Sequence, residues 1–117
     1  MIEYDPAAER AALDWLALTD EGDAEGSWNS SASLFRRAVS LDKWTESLER
    51  ARGPLGRLVN REVDSARVAT ELPGAPDGEY VVFQFKTAFE HKRSAVETVT
   101  PMRDTDGVWR VSGYFIR

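Results

Sequence analysis

Tyr80-Val81-Val82-Phe83-Gln84-Phe85-Lys86-Thr87-Ala88-Phe89 is the stretch that decides the fold class. In an extended chain successive side chains point to opposite faces. Val81, Phe83, Phe85, Thr87 and Phe89 therefore share one face, and Tyr80, Val82, Gln84, Lys86 and Ala88 share the other. The spacing predicts a strand over 79–90. Leu72 to Gly78, with Pro73, Gly74 and Pro76, is a turn-rich loop on one side. Glu90-His91-Lys92-Arg93 is a charged turn on the other. Beyond these lie a long irregular strand over 58–72 and a further strand over about 94–103. Asp104-Thr105-Asp106-Gly107 then forms a hairpin turn into a last strand over 108–116. In that strand strict alternation puts Trp109, Val111, Gly113 and Phe115 opposite Val108, Arg110, Ser112 and Tyr114.

Upstream of residue 57 the period changes from two to that of a helix. Asp5-Pro6 is an N-cap followed by proline at the first helical position. Ala8, Ala12, Trp15, Leu16 and Thr19 recur at helical spacing, and Gly22 ends the helix, predicted over 6–21. Asp23 caps a short helix carrying Trp28, Leu34 to Ala38 make a further turn, and Ser40 caps a helix with an apolar stripe of Leu41, Trp44, Leu48 and Ala51. Gly53-Pro54 stops it. Helices followed by hairpin-connected strands give an α+β class, in one domain over 1–117.

The order of elements resembles the nuclear-transport-factor-two-like (cystatin-like) fold, which implies N-terminal helices packed on a curved four-stranded antiparallel sheet shaped as a cone with an internal pocket. Three stretches carry a closer likeness: Arg52-Gly53-Pro54-Leu55-Gly56, Leu72 through Tyr80 to Phe85, and Glu97-Thr98-Val99-Thr100 followed by Trp109 to Ile116. With the Trp15-Leu16 helix they are similar to a bacterial family, the domain of unknown function 4019, over about residues 7–117. That family brings no catalytic residues to carry over.

Composition removes several chemistries. The 117 residues include no cysteine and one histidine, with 15 Lys and Arg against 20 Asp and Glu and a net charge of -5. Disulfides, thiolate metal sites and a cysteine nucleophile are excluded. A nonspecific nucleic-acid binder needs a cationic surface, so no nucleic-acid partner is expected. The acidity is local: residues 1–25 hold eight acidic side chains against Arg10 alone. No apolar run is long enough to span a bilayer, and no membrane insertion is expected. The N-terminus has no signal-peptide pattern, so the chain reads as cytoplasmic as written, or periplasmic if an export signal has been removed.

The candidate site residues follow from the aromatic content and one carboxylate. Trp15, Trp28, Trp44 and Trp109 either fill the space between helices and sheet or, with Phe35, Phe83, Phe85 and Tyr114, line a pocket for a small apolar ligand. Trp15, Trp28, Phe35, Phe83, Phe85 and Tyr114 are the ligand-binding candidates. Glu97, between Val96 and Thr98, faces solvent or pairs across strands with Lys86 or Arg110, or else points inward as a general base with Tyr80 or Tyr114 as hydrogen-bond donor. His91 reads as an exposed turn residue, and no metal or cofactor is expected. Arg52, Arg57 and Arg61 are expected to gather at the end of the Ser40-capped helix, where cations stabilise its C-terminus. The expected function is a noncatalytic ligand-binding or protein-interaction module, the alternative a small-molecule lyase or isomerase using Glu97. Apolar side chains on both faces of the 79–90 strand also lead to an expected homodimer through the sheet face.

Overall fold

A computed structural model describes residues 3–117. Four helices precede four strands: α1 (Pro6–Asp20), α2 (Ala24–Asn29), α3 (Ser33–Ala38), α4 (Leu41–Arg52), a 3₁₀ turn over Gly53–Leu55, β1 (Leu58–Ala69), β2 (Tyr80–Phe89), β3 (Lys92–Arg103) and β4 (Trp109–Ile116). The strands pair antiparallel in the order β1-β2-β3-β4, an open sheet in which every neighbour in space is a neighbour in sequence.

The helix boundaries follow their caps. The Asp5 side chain accepts from the Ala7 N–H, Asp23 from Gly26 and Ser40 from Lys43, each satisfying a donor that the helix itself leaves open. Gly22 adopts φ +73, and the Asp23 N–H turns back to the Leu18 carbonyl, which closes α1. The strand ends depart from the sequence expectation by a few residues. β1 stops at Ala69 because the Gly78 N–H returns to the Thr70 carbonyl (2.9 Å) and closes 70–78 as a loop. β3 begins already at Lys92, because Glu90 and His91 alone make the turn, held by N–H bonds to the Arg57 and Leu55 carbonyls, both 2.8 Å. Gly56 lies under that turn at φ +75, ψ -156, where a Cβ would come within 2.7 Å of Glu90 Oε1 and 2.8 Å of His91 Cδ2. Only glycine fits both the backbone angles and the space.

α1 lies across β3 and β4, and its Ala8, Ala12, Trp15 and Leu16 join Phe35, Trp44, Leu48, Val81, Phe83, Phe85, Val99 and Val111 in one core. Register corrects the alternation expected for β4. Thr100 opposes Gly113 but Pro101 opposes Val111, so Ser112 is an extra residue, and its hydroxyl donates to the Thr100 carbonyl (2.8 Å). That bulge brings Val111 and Tyr114 onto the same inner face. Phe115 is left 55% exposed.

The helical layer is off-centre. β1 pairs along its length with β2 but carries no helix of its own; Val59, Val63 and Val68 are 68%, 42% and 50% exposed. Tyr80, by contrast, is buried on the side of β2 opposite Val81, under the chain's own 70–79 loop, and its hydroxyl donates to the Pro76 carbonyl (2.6 Å). The loop covers Tyr80 on that face, while Val82 and Ala88 on the same face are half-buried.

Candidate functional site

Four strands carry a connected set of polar side chains into the inner face. Glu97 lies opposite Phe85 in β3 and is 0% exposed. Its Oε1 accepts from Arg61 Nε (2.8 Å) and from the Thr87 hydroxyl (2.7 Å), and its Oε2 accepts from the Tyr114 hydroxyl (2.6 Å). Arg61, opposite Thr87 in β1, turns its two remaining guanidinium nitrogens to Asp20 at the end of α1, both at 2.9 Å. Arg52, from the last turn of α4, also donates to Asp20 (2.9 Å) and to the Thr19 hydroxyl (3.1 Å), and its guanidinium stacks 4.5 Å above the Phe89 ring. Two buried arginines thus alternate with two carboxylates.

The charges settle one another. Burial disfavours the ionised carboxyl of Asp20, but the hydrogen bonds and positive charge of Arg61 and Arg52 outweigh it, and Asp20 titrates below its ordinary value. Burial likewise opposes the charge on Arg61, and Asp20 and Glu97 more than restore it. Tyr114 is pushed far above the usual phenol range, first by burial and then by the neighbouring Glu97 carboxylate, so it remains a hydrogen-bond donor at any physiological pH. Glu97 has both oxygens occupied by donors, one of them a cation.

Beside Tyr114 a groove of about 440 Å³ opens between α3, the 72–75 segment and β3–β4. Leu34, Phe35, Val39, Tyr80 and Tyr114 give it an apolar wall, and Thr100, Ser112 and Gly113 a polar floor. A second cleft, about 340 Å³, lies where α1 and α4 end; Asp20, Leu48, Glu49 and Arg52 line it. Both helices present C-terminal ends there, which adds negative potential to an already acidic rim.

The sequence candidates divide accordingly. Phe35 and Tyr114 reach the groove, as does Tyr80. Trp15, Phe83 and Phe85 are buried in the core, and Trp28, half-buried, donates its indole N–H to the Val39 carbonyl (2.8 Å). Trp15 donates to the Ser27 carbonyl and the Ser31 hydroxyl, and Trp44 to the Ser27 hydroxyl, so these indoles are satisfied inside the protein. Glu97 points inward, and its ion-pair partner is Arg61, not Lys86 or Arg110. Arg52 and Arg61 do converge, but on Asp20 and not on the carbonyls of α4. Arg57 joins no ion pair among the described residues. His91 is exposed on its turn. The sequence alone does not reveal Arg61 as the partner of Glu97, nor Asp20 as the second carboxylate that Arg61 holds. A signal was present: Arg61 shares the alternation of Val59 and Val63, a cation on an otherwise apolar face.

Among the described residues no group of three or more His, Asp or Glu side chains is arranged to hold a metal ion, and no helix is long and apolar enough to cross a membrane. A family model described as a protein of unknown function, DUF4019, matches residues 11–114. The chain belongs to the DUF4019 family. No curated protein matches it. The DUF4019 match runs from α1 to Tyr114 and so takes in both the buried ion pairs and the groove.

Proposed function

We propose that this DUF4019 domain is a noncatalytic binding module that seats a small apolar ligand in the groove between α3, the 72–75 segment and β3–β4. The carrying observation is the pairing of an apolar wall, with Phe35, Tyr80 and Tyr114 at its centre, and a few polar groups at its floor. Ligand pockets have that composition, and the volume of about 440 Å³ lies within their usual range. The helix-then-sheet order supports a nuclear-transport-factor-two-like cone over the whole chain, with the groove at its rim. Titration with 1-naphthol, followed by amide NMR shifts, tests the reading. Shifts clustered at Val39, Ser112 and Gly113, abolished in Ala38→Trp, support it. Shifts scattered over the surface, or none at millimolar probe, reject it.

A second reading draws on Tyr114, which lines the groove and donates to Glu97 Oε2 at 2.6 Å. A carboxylate–phenol pair next to an apolar groove is the donor–acceptor set of a proton-transferring isomerase or lyase. Against it, Glu97 Oε1 is held by Arg61 and Thr87 and the carboxylate has no exposed surface. Turnover of a small enolisable ketone that disappears in Glu97→Gln would favour this second reading.

A further inference from the structure

We infer that two copies of the chain join through β1, edge to edge and antiparallel, about a two-fold axis between Asp64 and Ser65. This goes beyond the groove and is independent of it.

The two edges of the sheet are finished differently. At β4 the Ala32 N–H bonds the Val111 carbonyl (2.8 Å), and α3 packs alongside. At β1 the outer edge carries no strand and no helix among the described residues, over twelve residues. An uncovered edge of that length offers a row of backbone donors and acceptors to another strand. The exposed Val63 and Val68 lie along it on the helix side of the sheet, opposite Phe85 and Val81.

The register selects a second copy as the occupant. β1 carries an irregularity between Val63 and Ser65, which opposes two of its residues to one of β2. Before it, Asn60 and Glu62 face outward and Arg61 and Val63 inward. After it, Ala66 and Val68 face inward and Arg67 and Ala69 outward. At the bulge Asp64 meets Lys86 (3.4 Å) and Ser65 meets Gln84 (3.4 Å), both on the outward side. The sequence of faces from 60 to 69 therefore reads the same in either direction. An antiparallel pair requires facing residues to share a side. Turning β1 against itself about the 64/65 point meets that requirement at every position.

The same register pairs the chemistry. Glu62 comes opposite Arg67 of the second copy, twice by symmetry. Neither residue makes an ion pair among the described residues. Asp64 meets the Ser65 hydroxyl; on the inner side Val63 meets Ala66, and Val68 comes opposite Arg61, whose aliphatic stem it can cover. The strong acidity of the chain lies in residues 1–25, not on this strand.

Sedimentation velocity from low to high micromolar protein tests the proposal. A concentration-dependent dimer is expected for the natural sequence. Arg67→Glu and Glu62→Arg each place two like-charge pairs at the interface and should weaken association roughly tenfold to a hundredfold. The double exchange Glu62→Arg/Arg67→Glu should restore it. A monomer throughout the range overturns the proposal. So does a dimer indifferent to both single changes, which would place the contact elsewhere, or a double exchange that fails to restore it. Circular dichroism of each variant separates loss of pairing from loss of folding.

Discussion

Replacing Arg61 by methionine removes three charge-assisted hydrogen bonds at once, one to Glu97 and two to Asp20. Asp20 keeps Arg52 at 2.9 Å and lies partly at a cleft, so water can reach it. Glu97 has no such recourse: it retains the hydroxyls of Thr87 and Tyr114 but no cation, with no exposed surface. Stranding a buried charge in this way costs about 3–5 kcal/mol. For a chain of 117 residues that corresponds to a fall in Tm of roughly 12–20 °C. Glu97→Gln keeps the shape and leaves Arg61 its two bonds to Asp20, and should cost about 1–2 kcal/mol. The informative variant is the pair. In Arg61→Met/Glu97→Gln no carboxylate is stranded at position 97, so the loss should fall below the sum of the single losses by about 1–3 kcal/mol. Urea unfolding, followed through the fluorescence of the buried Trp15 and Trp44, measures all four corners of the cycle, with unchanged m-values as the condition for comparing them. Losses that simply add, or an Arg61→Met loss under about 1 kcal/mol, would refute the view that Arg61 is there to neutralise Glu97.

Asp104 accepts from the Ser33 backbone N–H and hydroxyl and the Thr105 N–H, and lies beside Arg110; the Ser33 N–H is the largest cause holding its pKa at about 2. A carboxyl depressed in the folded state stabilises above its unfolded pKa, near 3.9, and loses that contribution as pH falls through the folded value. Asp104→Asn should therefore cost about 2 kcal/mol at neutral pH, a difference that closes between pH 4 and pH 2 in urea titrations. Ser27→Val removes the hydroxyl that accepts from the Trp44 indole at 2.9 Å and leaves a buried donor empty, a loss of about 1–3 kcal/mol by thermal unfolding. Gly56→Ala should cost about 1–3 kcal/mol, because alanine must hold a backbone conformation reserved for glycine while Glu90 and His91 give way. A Gly56→Ala protein as stable as the parent would mean that the turn can relocate.

The caps at Asp5, Asp23 and Ser40, the glycine after α1 and the alternation of β2 were legible because each is a local signal, complete within a few residues. The helices therefore fall where the sequence puts them. What escaped was set by pairing across distance. The extra residue at Ser112 reverses the faces of half of β4, and nothing between Trp109 and Ile116 announces it, since the bulge exists only in relation to Thr100 and Pro101. Glu97 was legible as an inward candidate, but its partners come from positions 61, 87 and 114, and Arg61 is shared with Asp20, a set joined only once four strands and a helix end are in place. The groove was legible in two of its residues, Phe35 and Tyr114; its rim at 72–75 depends on how the loop folds back, which the proline and glycine content does not specify.

β1 is attached to the helical layer chiefly by one side chain. Apart from Ala66, packed against the core, its inner apolar residues are largely uncovered, and Arg61 reaches past β2 to Asp20 and Glu97. The guanidinium acts as a rivet, holding a strand that too little buried surface would otherwise hold. Slow amide exchange is therefore expected at β2, β3 and α1, with β1 opening first on either side of residue 61 and Arg61 marking where the peeling stops.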